Sequence, residues 1–344
     1  MTMNSRVNWK DLETRGFVHI PDFLSPDELA ACQADYAAQP MDADNRNYNL
    51  ATASERGVGP VRHRIHEVLD AVNANTTLRV DQILDGSYFA TRRGIVFNWH
   101  QDHESYFACQ NHFDYLNFYI PVVKPLRNKT NLCVVPFDVL ERESPETFRR
   151  IVRGGATTTL DLGGRQLVMQ DQFGSTHLVR SNLNELASTP QLDAGDLLLM
   201  RGDMLHKTED NDTDRVSLSI RAANSKTMVN RARLADGGLV KATYMARNHD
   251  YYVDMFRAFD EAGRSELPFG EMLERTKELR QRRLPEEGRF RNLLLKEKIR
   301  NGVFLSFLRK ALSEVVVRPV VGRYHWRAIG AAAQSAAKVA ARTT

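Results

Sequence analysis

From Leu78 to Arg221 the chain runs as a succession of short apolar or alternating segments broken by turn residues, a pattern that no helical packing can satisfy. The candidate strands are Gln82–Leu84, Tyr88–Ala90, Ile95–Trp99, Leu116–Val123, Leu132–Val135, Thr157–Leu162, Gln166–Gln170, His177–Val179, Leu197–Met200 and Val216–Arg221. Gly163-Gly164 between two of them is a hairpin signal, because both glycines accept positive φ. Many short antiparallel strands predict a mainly β fold with flanking helices, a double-stranded β-helix or jelly roll of the cupin-like kind.

Around this β region the periodicity is helical. Ser25-Pro26-Asp27-Glu28 reads as a helix start, with serine as cap and proline in the first turn, and the helix should run to about Ala38. The polar stretch from Pro40 to Gly59 reads as a loop, and Val61 to Ala74 as a second helix. Its His63 and His66 stand one turn apart, but with no third ligand near them they read as a solvated face. The segment 138–190 is long for a connection between strands and predicts an insertion with its own helix near Pro145 to Arg153. From Met228 the helical pieces are Tyr251–Ala262, Phe269–Arg283 and the basic, amphipathic Phe290–Leu312, followed by an alanine-rich segment, Trp326–Arg342. The expected organisation is a core over 1–227 and a helical extension over 228–344, packed on the core or on a partner.

Apolar residues make up 42% and charged residues 26%, ordinary proportions for a folded domain. No apolar run approaches the length of a membrane span, and the first residues lack the apolar core of a signal peptide, so the expectation is a cytoplasmic protein. The 3 cysteines, Cys32, Cys109 and Cys133, form no Cys-x-x-Cys pair and read as buried thiols. The net charge of +4 hides an asymmetry: 17 Lys/Arg stand against 7 Asp/Glu over 271–344, leaving 30 against 36 before them. The basic extension suits a solvated face, a homodimer or carrier-protein contact near Tyr324 and Trp326, or an anionic polymer. It carries no nucleic-acid motif.

The chemistry concentrates in Asn98-Trp99-His100-Gln101-Asp102 and in Gly202-Asp203-Met204-Leu205-His206. In an extended segment residues i and i+2 project to one side, so His100 and Asp102 can offer an imidazole and a carboxylate to one point. His206, brought there by a second strand, would complete a set of two histidines and one carboxylate, the facial ligands of a non-haem iron. A His-x-Asp tripeptide is weak evidence by itself, and the chain holds a second, His112-Phe113-Asp114. The first is preferred because His100 ends a strand-like run, whereas His112 lies in a polar connection.

The ordered set His100-Gln101-Asp102, Leu116-Asn117-Phe118-Tyr119-Ile120-Pro121, Leu132-Cys133-Val134-Val135-Pro136 and Ala194-Gly195-Asp196-Leu197-Leu198-Leu199 leading to His206 resembles the phytanoyl-CoA dioxygenase family. The opening Gly16-Phe17-Val18-His19-Ile20-Pro21-Asp22-Phe23-Leu24-Ser25 is similar to that family as well, and the resemblance extends from about residue 10 to 222. Asn131 with Leu132 departs from it, where a glycine is usual. The resemblance implies Fe(II) on His100, Asp102 and His206, with 2-oxoglutarate as cosubstrate and O2 as oxidant. It implies hydroxylation of a small molecule, or a desaturation or ring formation of the same type, since relatives that halogenate have lost the carboxylate that Asp102 provides. The non-enzymatic alternative is a cupin-like binding protein.

Arg215, nine residues past His206, suits the far carboxylate of the cosubstrate, because guanidinium makes a bidentate fork with it. Arg221 is the rival: an even separation puts both on one side of a strand. Ser217 shares that side, and Asn117 is assigned to the cosubstrate with them. Trp99, Tyr106, Phe107 and Tyr119 are candidate pocket-lining residues, and Arg92 or Arg93 could meet an anionic group.

Overall fold

The computed structural model describes residues 7–39, 49–91, 98–152, 156–161, 167–171, 176–209, 213–235, 241 and 249–282. Arg92, Arg93, most of the expected strand Ile95–Trp99, the Gly163-Gly164 turn and the helices expected beyond residue 282 lie outside them. The chain divides into two units, one of Met1–Ser105, Asn111–Gly154 and Ser181–Asn224, the other of Tyr106–Gln110, Gly155–Arg180 and Ser225–Thr344. The insertion expected at 138–190 is therefore split, its helices Phe137–Glu143 and Pro145–Ile151 falling in the first unit.

The first unit is built on a large antiparallel sheet. Its strands are β1 (Phe17–Ile20), β2 (Asn49–Thr52), β3 (Gln82–Ile83), β4 (Ser87–Thr91), β5 (Tyr115–Val123), β10 (Leu197–Arg201) and β12 (Arg215–Ala223). Their order is β1-β10-β5-β12-β4-β2, with β3 also on β12. Because side chains alternate along a strand and directly opposed residues share a face, the register divides the sheet into two surfaces. One carries Val18, Ile20, Leu116, Phe118, Ile120, Val122, Leu197, Leu199, Leu218, Ile220, Ala222, Tyr88 and Ala90, all buried in one apolar core. The other carries Asn117, Tyr119, Ser217, Ser219 and Arg221, with Ser219 opposite Tyr119 and Arg221 opposite Asn117. A polar set buried on a sheet face is what a site requires and what a core avoids.

The apolar surface is covered by the N-terminal helices. The helix Pro26–Ala38 starts where the sequence predicts, in a capping box: Ser25 accepts from the Glu28 N–H, and Glu28 accepts from the Ser25 N–H. The next helix, Glu55–Asn75, begins earlier than its apolar spacing suggests, capped by Ser54, and β2 precedes it. The predicted loop thus contains β2 and the first turn of this helix, whose signal is hidden by Gly57, Gly59 and Pro60. Gly57 is there for space, since a Cβ would come within 2.2 Å of the Tyr88 hydroxyl and 2.5 Å of Asp35. Val61, Ile65, Val68, Leu69 and Val72 line the buried side of this helix, each apolar side chain contributing roughly 1.5–3 kcal/mol when fully buried.

The polar surface looks toward a shorter pairing of β6 (Leu132–Val134) with β11 (His206–Thr208), extended by isolated bridges between His100 and His206 and between Val134 and Ser188. This two-sheet antiparallel arrangement with flanking helices is the predicted jelly roll. Pro121, without an N–H, interrupts the central ladder, and the register slips between Val216 and Ser217 opposite it. Bulges at such places re-aim side chains.

The second unit holds a three-stranded sheet, β7 (Ala156–Asp161), β8 (Leu167–Asp171) and β9 (Thr176–Val179), and the pair β13 (Met228–Asn230) with β14 (Glu266–Pro268). Its helices His249–Ala262 and Phe269–Gln281 correspond to the predicted Tyr251–Ala262 and Phe269–Arg283. Among the described residues no helix is long and apolar enough to cross a membrane. The three cysteines are buried thiols, as expected.

Candidate metal centre

His100 and His206 face one another across two strands of backbone, each N–H donating to the other's carbonyl at 3.0 Å. Their rings follow, with centroids 4.2 Å apart and planes inclined by 54°. Each imidazole is also anchored to the carbonyl two residues before it: His100 Nδ1 to Asn98 O at 2.8 Å, His206 Nδ1 to Met204 O at 2.9 Å. A carbonyl only accepts, so Nδ1 carries the proton in both rings and Nε2 keeps its lone pair, which is the ligating tautomer. Burial, helped by His206 beside it, pushes the His100 imidazole down to about 3, so it is neutral at physiological pH. A metal demands that form.

Asp102 stands on the large sheet's side of these rings. Burial opposes its charge, but the Arg221 guanidinium beside it holds the carboxyl below its usual range. Its Oδ2 accepts from Asn117 Nδ2 at 3.0 Å, and its Oδ1 lies 3.6 Å from Arg221. Drawn toward these two, the carboxylate does not close on the imidazoles: among the described residues no three His, Cys, Asp or Glu side chains stand in a finished metal-holding cluster. The donors nonetheless fit Fe(II): two imidazole Nε2 atoms and one carboxylate. Between the ligands, Gln101 turns the other way and donates to Asp203 O at 2.6 Å, tying the His-x-Asp turn to the loop that leads into His206.

That loop is set by packing. Gly202 has no room for a Cβ, which would lie 2.8 Å from both Ser105 and the Tyr115 ring. Arg201 pairs with Asp203 at 2.6 Å, both buried, and the guanidinium lies between the Phe113 and Phe137 rings at 4.8 and 4.7 Å. Burial pushes the Asp203 carboxyl up to about 6 against the pull of Arg201. The Trp99 ring, next to His100 in the chain, lies under Lys207 Nζ at 5.1 Å, and its Nε1 donates to Asn184. Tyr106 and Phe107 are buried in the second unit.

Further along the polar surface Arg215 is buried, its guanidinium 5.6 Å from the centre of the Tyr119 ring and donating to Thr130 O at 2.9 Å. Beside it the Tyr119 and Ser217 hydroxyls are buried without a hydrogen bond of good geometry, although each is a donor. Burial raises the Tyr119 phenol despite Arg215 and Ser217. One cation and two hydroxyls that lie beside each other fit a small carboxylate. Thr130, which presents its carbonyl to Arg215, has φ of 53°, unusual for a β-branched residue; the departure noted at Asn131 begins one residue earlier. Of the two candidate arginines, Arg221 attends Asp102 and Arg215 attends the hydroxyls. Asn117, assigned to the cosubstrate from sequence, gives its amide to Asp102.

The second His-x-Asp has a structural occupation. His112 Nε2 donates to Val152 O at 3.0 Å, and Asp114 accepts from the Arg79 N–H at 2.8 Å, Asn111 at 3.2 Å and Asn224 at 3.1 Å. Asp114→Ala is expected to destabilise the protein by about 1–3 kcal/mol, for lost and unmet hydrogen bonds, while metal binding by the folded fraction stays unchanged. Thermal unfolding with and without Co(II) separates the two effects. His63 lies 3.5 Å from Glu28 on an exposed helix face.

Sequence reasoning passed over Ser219, whose parity with Ser217 and Arg221 was a usable signal, and Thr130, for which no signal existed.

The phytanoyl-CoA dioxygenase (PhyH) family model matches residues 12–218. No curated protein matches the chain. Among solved structures the chain is similar to EvdO2 from Micromonospora carbonacea var. aurantiaca complexed with 2-oxoglutarate, at 14% identity over 63% of this chain and 89% of that one, with a TM-score of 0.42. It is similar to HygX from Streptomyces hygroscopicus with nickel and 2-oxoglutarate bound, at 14% identity over 62% and 85%, TM-score 0.39. A prolyl-4-hydroxylase from Pseudomonas putida gives 14% identity over 64% and 99%, TM-score 0.40.

Proposed function

Because this chain belongs to the phytanoyl-CoA dioxygenase family of Fe(II)- and 2-oxoglutarate-dependent oxygenases, we propose that it hydroxylates an unactivated C–H bond of a small organic molecule. One O2 is consumed; one oxygen atom enters the C–H bond and the other enters succinate as 2-oxoglutarate loses CO2. The observation that carries the assignment of the centre is the reciprocal backbone pairing of His100 and His206, with both Nδ1 atoms anchored so that both Nε2 atoms are presented together.

In this reading His100, His206 and Asp102 hold the iron. The bound iron and cosubstrate supply the oxidising chemistry. Arg215, with Ser217 and Tyr119, receives the far carboxylate of 2-oxoglutarate: the guanidinium offers charge and a planar fork, and the hydroxyls complete the donor set. Asp102, Arg215, Ser217 and Tyr119 are buried, which strengthens each polar contact they make. Arg221 stays with Asp102.

Anaerobic addition of Fe(II) and 2-oxoglutarate should give the weak visible charge-transfer band of the iron chelate, and the band should be absent from the His206→Ala variant. No band in an iron-loaded wild-type protein would overturn the assignment. Product analysis with candidate substrates decides hydroxylation: a product gaining one oxygen is expected, and one losing two hydrogens without gaining oxygen would mean desaturation or ring closure instead.

A further inference from the structure

Resting on that placement of the metal, we propose that Asn117 is a positioning residue for the carboxylate ligand, oriented by Ser219 so that Asp102 offers a single oxygen, Oδ1, to the metal. Asn117, Ser219 and Asp102 are 4%, 3% and 8% exposed, so their hydrogen bonds do not compete with bulk water. Ser219 Oγ is 2.8 Å from Asn117 Oδ1. The Asp102 carboxylate only accepts, which settles which end of the amide faces it, and the serine hydroxyl then donates to the amide oxygen and holds it there. Asn117 Nδ2 is thereby aimed at Asp102 Oδ2, 3.0 Å away. Reversing the amide would set two oxygens against each other in a buried place, at a cost on the order of an unmet buried hydrogen bond, 1–3 kcal/mol or more.

The consequence is an asymmetric carboxylate. Oδ2 is occupied by the amide, while Oδ1 faces Arg221 at 3.6 Å, which is electrostatic reach and beyond good hydrogen-bond length. The Asn117 bond uses one of the lone pairs of Oδ2 and weakens it as a donor, so Oδ1 is the better donor to a metal held by the two Nε2 atoms. This asymmetry leaves more of the coordination sphere for cosubstrate and oxidant. The residues that hold Asp102 lie on one sheet face: Ser219 and Arg221 are two apart on β12, with Asn117 directly opposite Arg221 on β5.

Co(II) titration followed by its visible d–d bands tests this without turnover. Asn117→Leu, close in size and unable to donate, should weaken Co(II) binding about 10–100-fold, the usual effect of losing an outer-shell partner, and should change the band intensities as the carboxylate is released. Ser219→Ala is the milder variant: it should cause a smaller loss, and it should add little in the Asn117→Leu background, because the serine acts only through the amide. Ser219→Thr keeps the hydroxyl and should restore binding. Circular dichroism melts accompany each variant. If wild-type binds Co(II), His206→Ala abolishes that binding, and both Asn117→Leu and Ser219→Ala bind with wild-type affinity and spectrum, the inference is overturned while the metal centre stands. Wild-type protein that binds no Co(II), or binding indifferent to His206→Ala, would overturn the centre and this inference with it.

Discussion

Alanine at His100, Asp102 or His206 is expected to lower iron-dependent 2-oxoglutarate turnover by at least about a thousandfold, since a lost ligand removes a metal whose charge stabilisation is worth several kcal/mol. The fold should survive. What joins the His100 and His206 segments is a reciprocal pair of backbone hydrogen bonds, which alanine keeps, and the barrel's apolar core lies on the opposite face of the large sheet from the ligands. His112→Ala should leave turnover near wild-type, because that ring donates to the Val152 carbonyl and serves packing. Succinate formation measured beside thermal unfolding checks both halves. Loss of activity in His112→Ala with retention in His100→Ala would mean that the wrong His-x-Asp pair carries the chemistry.

Arg215→Ala should raise the 2-oxoglutarate concentration needed for half-maximal turnover by the equivalent of roughly 2–4 kcal/mol, on the order of 30- to 1,000-fold, if the carboxylate it meets is desolvated. Arg215→Lys should recover only part of this, because an ammonium supplies charge without the planar fork. Arg221→Ala should behave differently: it removes the cation beside Asp102 Oδ1 and should appear first in metal affinity. Paired titrations of 2-oxoglutarate and Fe(II) in the three variants distinguish the roles. A larger 2-oxoglutarate shift in Arg221→Ala than in Arg215→Ala would transfer the cosubstrate to Arg221.

The β succession was legible because period-two alternation over Leu116–Val123 and Val216–Arg221 has no other use than a sheet buried on at least one face, and the helix at Ser25 was legible because its cap is local chemistry. For the same reason Ser217 and Arg221 could be placed on one face from parity alone. The early start of the helix Glu55–Asn75 was not legible: Gly57, Gly59 and Pro60 read locally as breakers, and only the crowding of Tyr88 and Asp35 against Gly57 shows why a glycine stands inside a helix. Nor could spacing choose between Arg215 and Arg221. They share a strand face, and what separates them is which partners the facing segments deliver, Thr130 and Tyr119 at one end, Asp102 at the other. The partners of Asn117 were hidden for the same cause, since its amide meets Ser219, 102 residues away. Periodicity and capping are written in neighbours along the chain, so the sequence by itself determined the kinds of element and the faces they bury. Register and crossing bring distant residues within 3 Å, and only the tertiary structure decides which polar groups meet there.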